Sequence, residues 1–100
     1  AAREPADAVV RYHLARAYQE SGRRADGVAE LRRVLADGAR IPRTLQGWAL
    51  IRLGAAMEAE GNRPEAERSY RKAAELRGFV FSRAARDRLK HPADPVPPEG

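Results

Sequence analysis

The sequence predicts an all-α fold of antiparallel helical hairpins, and three observations predict it. Apolar residues recur at three- and four-residue spacings along most of the chain, glycine and proline cut that pattern into pieces of helical length, and the first two pieces match the next two after a shift of 39 residues. With 100 residues, 43% hydrophobic and 33% charged, the chain has room for one small core and enough apolar content to bury it. No apolar run approaches the roughly 18–20 residues that cross a bilayer, so a membrane span is excluded. There is no cysteine, hence no disulfide frame, thiolate nucleophile or Cys-ligated zinc.

Each element has local chemistry behind it. Pro5 suits a first helical turn, where its missing N–H costs nothing; Ala8, Leu14, Ala15 and Tyr18 then recur at helical spacing up to Ser21-Gly22, giving a helix over about 6–20. Ala25, Val28, Leu31, Val34 and Leu35 define a second helix, about 24–36, with Gly38 placed to cap it in a left-handed conformation. Residues 37–43 read as a connection, because Pro42 pushes Ile41 out of the helical region. Thr44 can cap a third helix carrying Leu45, Trp48, Ala49, Leu50, Leu53, Ala56 and Met57 to Glu60, and Gly61 ends it. Asn62, followed three residues later by Glu65, is a capping-box-like start with Pro64 in the first turn. The fourth helix, about 63–77, offers Ala66, Tyr70, Ala73, Ala74 and Leu76 for burial and is closed by Gly78. A fifth, about 79–90, carries Phe81, Ala84, Ala85 and Leu89 on one stripe and Arg83, Arg86 and Lys90 on another. Residues 91–100 are proline-rich and read as an extended, solvated tail.

The repeat is specific. Leu14, Ala15, Tyr18, Gly22, Gly27, Leu31 and Val34 stand 39 residues before Leu53, Gly54, Met57, Gly61, Ala66, Tyr70 and Ala73, each pair matched in size or turn role. Small residues at Ala15, Gly54, Ala66 and Ala73 let paired helices approach, while Leu14, Leu31, Leu53 and Tyr70 fill the seams between them. On these positions the chain resembles the tetratricopeptide repeat family over residues 8–77. The second copy is the better match. The departures are a period of 39 rather than about 34 residues, Arg11 and Leu50 at the tryptophan-like position, Gly27 in place of the usual alanine, and Arg24 and Arg63 where an aromatic often follows the turn.

The resemblance implies hairpins stacked in a right-handed superhelical array: repeats at about 8–37 and 44–77, a capping helix at about 79–90, and a concave surface lined by the first helix of each pair. The family's groove positions fall on Val9, Tyr12, Arg16 and Gln19 in the first copy and on Trp48, Ile51, Ala55 and Glu58 in the second, flanked by Arg52. Such a groove is mostly apolar and suits a peptide or partner helix with aliphatic side chains and a carboxylate, so a scaffold or adaptor that binds another protein is the expected function. The alternative for Trp48 and Tyr12 is packing against the 37–43 connection or the fifth helix. The lysines and asparagines of the family's clamp for chaperone C-termini are missing from the matching positions, which argues against that activity. Two repeats plus a cap fall short of the three usually needed, so the sequence calls for further repeats before Ala1, for a homodimer through the groove or an open end, or for marginal stability.

Nothing points to catalysis, a cofactor or a metal. His13 and His91 have no second close histidine or cysteine. Glu58 and Glu60 project in different directions from one helix, no serine has a Gly-x-Ser-x-Gly context, and the glycines stand singly rather than in a phosphate-cradling loop. The net charge of +5 is concentrated in residues 63–90, with nine basic side chains against four acidic ones. Arg68, Arg71, Lys72, Arg83, Arg86 and Lys90 therefore form an alternative basic face for nucleic acid or an anionic surface. The interleaved Glu67, Glu75 and Asp87 weigh against it, as does the composition: 17 of the 19 basic residues are arginine and alanine is the commonest residue, a bias of GC-rich bacterial genomes. The chain starts at Ala1 with no charged-then-apolar leader, which leaves its compartment open.

Overall fold

The structure is a computed structural model that describes residues 5–79 and 82–90. It is all-helical: α1 (Pro5–Glu20), α2 (Arg24–Ala36), a 3-10 turn (Gly38–Arg40), α3 (Arg43–Ala59), α4 (Arg63–Glu75) and α5 (Ser82–Lys90). Among the described residues there is no strand, and no helix is long and apolar enough to cross a membrane. Each helix packs chiefly on its neighbours in sequence, and α1 also touches α3.

The turns that join α1 to α2 and α3 to α4 have the same architecture. At the end of α1, the N–H of Arg23 donates to the Tyr18 carbonyl at 2.8 Å and that of Gly22 to Gln19 at 3.2 Å. At the end of α3, Asn62 donates to Met57 at 2.8 Å and Gly61 to Glu58 at 2.9 Å. This pair of bonds closes a helix only if the first residue beyond the cap is left-handed, and Gly22 and Gly61 sit at φ 82° and 80°. All four donor–acceptor pairs map onto each other by the 39-residue shift, so the repeat legible in the side chains is also a repeat of backbone hydrogen bonds.

Helix starts differ from expectation at α3 and at α5. Asn62 caps α4 by accepting from the Glu65 N–H at 3.3 Å, but α3 begins at Arg43, one residue before the expected Thr44 cap, and has no side-chain cap. Pro42 takes the cap position with ψ 145° and accepts from the Gln46 N–H at 3.0 Å. Ile41 before it is extended and buried, as the proline requires. The last helix starts at Ser82 rather than 79; Phe79 is instead a buried side chain of the connection. Phe81, expected on the apolar stripe of α5, and the tail 91–100 lie outside the described residues.

One core runs through all five helices, from Ala8, Tyr12 and Ala15 in α1 to Ala85 in α5. A close helix contact lies at Gly54: a methyl there would come within 2.5 Å of the Tyr70 ring, so α3 and α4 can meet at this distance only because position 54 has no side chain. Gly47 makes the same allowance for Phe79, again at 2.5 Å.

Candidate functional site

The residues expected to line an apolar trough divide into two groups. Tyr12, Trp48 and Ile51 are core residues; the indole of Trp48 is only 3% exposed and packs edge-on against Phe79 with ring centroids 5.9 Å apart. Phe79, in the connection ahead of α5, lies over the start of α3 at Gly47 and Trp48 and takes the indole into the core. Val9 remains exposed, and Arg16, Gln19, Arg52, Ala55 and Glu58 are half-buried. The surface between α1 and α3 is therefore polar. Arg52 Nε donates to the Tyr12 hydroxyl at 2.9 Å, and Gln19 Nε2 to the Arg52 carbonyl at 3.5 Å.

Glu58 is occupied by structure. Its carboxylate accepts from the Tyr70 hydroxyl, from Arg88 Nη2 at 3.2 Å and from Arg63 Nη1 at 3.4 Å. Arg88, buried on α5, also donates to the Tyr70 oxygen, at 3.3 Å from Nε and 3.2 Å from Nη2. Burial, together with the hydrogen bond to the Glu58 carboxylate, holds the Tyr70 phenol well above its ordinary titration range. This network ties α3, α4 and α5 together. A buried carboxylate, Glu30 on α2, is held by Arg11 at 3.2 Å and Arg33 at 2.5 Å.

Among the described residues, two surfaces keep apolar side chains that no described residue covers completely. The first is the outer face of α1, where Val10 is 65% and Leu14 39% exposed and Ala17 is also exposed. Their equivalents 39 residues on, Ala49, Leu53 and Ala56, are all buried. On that side Leu53 shares a groove with Leu35 and Ala36 of α2, and Ala56 shares a small cleft with Gly22 and Arg24 at the start of α2. The second surface is that same groove, about 680 Å³, which α2, the first part of α3 and α4 enclose. Leu35, Leu50, Leu53 and Leu76 contribute its apolar part, and Arg68 and Lys72 of the expected basic face stand on its rim.

The other members of that face, Arg71, Arg83, Arg86 and Lys90, are exposed and lie away from the groove. His13 is exposed, and among the described residues no three His, Asp or Glu side chains stand close enough to hold a metal ion. Comparison of the chain with protein-family models, curated proteins and solved structures finds no match.

Proposed function

We propose that the chain is a protein-interaction module of tetratricopeptide-like hairpins that takes a partner's helix along the outer face of α1. One observation carries the reading. Leu14 and Leu53 are equivalent in the repeat, yet Leu14 is 39% exposed and Leu53 5%. What separates them is that Leu35 and Ala36 of α2 stand on the Leu53 side of α3, whereas among the described residues nothing covers the Leu14 side of α1 to the same extent. The chemistry that fits over Leu14 is accordingly that of α2, an amphipathic helix with aliphatic side chains spaced like Val28, Leu31 and Leu35.

The size of the effect narrows the occupant. Covering what Val10 and Leu14 leave exposed gains roughly 2–3 kcal/mol, less than the 4 kcal/mol or so of a millimolar complex. A free peptide helix is too weakly held by this face alone. A helix presented by a folded neighbour, which adds contacts of its own, is the occupant that fits.

The test repeats residues 5–42 directly ahead of Pro5, so that a copy of α2 is presented to α1. The expected result is a higher urea midpoint than the single-copy chain, with the gain lost when Val10→Asp and Leu14→Asp are placed in the covered helix. Independent unfolding of the added hairpin, with no gain for the rest, contradicts the proposal.

A further inference from the structure

The groove between α2 and α4 has a chemical character of its own. Its apolar part comes from four leucines, two of them, Leu35 and Leu76, only partly buried. Around them stand five cations, Arg32, Arg43, Arg68, Lys72 and Arg77, against two carboxylates, Glu65 and Glu75. One carboxylate is already engaged, with Glu65 paired to Arg68 at 3.3 Å. Arg32, Lys72 and Arg77 make no ion pair among the described residues, and all three are exposed. The rim is thus electropositive over an oily base, within the 300–1,000 Å³ or so in which binding clefts usually fall.

We infer that this groove binds a short extended acidic segment of another protein, with aliphatic side chains set on the leucines and carboxylates set against Arg32, Lys72 and Arg77. The length follows from the elements. Arg43 to Leu53 spans about 15 Å along α3 at the helical rise, which an extended strand covers in about five residues. Two side chains at positions i and i+2 point to the same face of such a strand, so two aliphatic residues can reach the base while the carboxylates two positions before and two positions after them, on the same face, meet the rim. Nucleic acid fits the charge but not the base: among the described residues no aromatic ring lines the groove to stack on a nucleobase, and four leucines offer nothing to a sugar-phosphate chain. This surface is separate from the α1 face, so the inference stands independently of the proposed function.

The experiment is fluorescence anisotropy on the full chain with three labelled probes at 150 mM salt. The first is an octapeptide with leucine at its third and fifth positions and Asp or Glu elsewhere; the second replaces both leucines by serine; the third is an eight-nucleotide oligothymidine. The expected result is that the leucine peptide binds at least ten-fold more tightly than either control. Lys72→Glu and Arg32→Glu, both at exposed positions, each weaken it five-fold or more without moving the unfolding midpoint, and Leu14→Asp leaves it unchanged. Equal binding of the serine peptide, tighter binding of the oligonucleotide, or indifference to both charge reversals overturns the inference.

Discussion

The Tyr70 hydroxyl on α4 donates to the Glu58 carboxylate on α3, and Arg88 of α5 donates to both oxygens. Three helices therefore meet at one buried phenol. Tyr70→Phe keeps the ring against Gly54 and removes only the oxygen, which leaves Glu58 and Arg88 each one partner short. A hydrogen bond to a charged group contributes about 1.5–3 kcal/mol, and urea unfolding at neutral pH is expected to show a loss of that size.

The same phenol makes stability fall in alkali. Its folded-state value lies above the unfolded value near 10 because burial and the Glu58 carboxylate disfavour the phenolate. The unfolded chain gives up this proton first, so the contribution is complete below about pH 10 and declines as pH rises from there toward the folded-state value. Urea midpoints measured from pH 9 upward are expected to drop more steeply for the wild type than for Tyr70→Phe.

Arg88→Met tests the attachment of α5. Removing one partner of a buried ion pair costs about 3–5 kcal/mol, because the other charge stays buried, and Arg63 at 3.4 Å offsets only part of that here. The expected loss is about 3 kcal/mol, with amide exchange in α5 accelerating before that in α1 and α2. Adding Glu58→Gln removes the stranded charge, so the double variant is expected to be more stable than the two single losses predict, by about 1–3 kcal/mol.

Gly54→Ala separates helix propensity from packing. On an isolated helix the change gains about 1 kcal/mol, but here the new methyl enters the Tyr70 ring, which the Glu58 and Arg88 bonds hold in place. Overpacking of this kind costs about 1–3 kcal/mol, and a lowered thermal midpoint is expected.

Trp48→Ala is expected to be more damaging than Leu14→Ala on the exposed face of α1. Emptying a site of this size costs about 3–5 kcal/mol, against a total stability of about 5–15 kcal/mol for a small domain. The same burial predicts a blue-shifted tryptophan emission that moves red on unfolding.

What the sequence revealed and what it concealed have a common physical origin. Gly22, Gly61, Asn62 and Pro64 mark helix ends through chemistry that acts over a few residues, and the structure places those ends within a residue or two of the sequence reading. Glu30 and Arg88 gave no such sign, since their partners Arg11 and Glu58 lie 19 and 30 residues away and are set by packing. Leu14 and Leu53 carry the same local pattern and differ only in which helix stands beside them. Tyr12, Trp48 and Ile51 read equally well as groove or core from their spacing; the position of Phe79 and of α1 against α3 decides for core. The leucines and cations of the α2–α4 groove come from three separate helices, so no single stretch of sequence displayed them together.

The claim that α1 presents a face made for a neighbouring helix is tested most directly by a thiol. The chain has no cysteine, so Leu14→Cys introduces a single reactive group on that face, and its rate of reaction with an aromatic disulfide reagent reports how far it is covered. The expected result is rapid reaction in the single-copy chain and a rate at least ten-fold lower when residues 5–42 are repeated ahead of Pro5; equal rates in the two proteins contradict the claim.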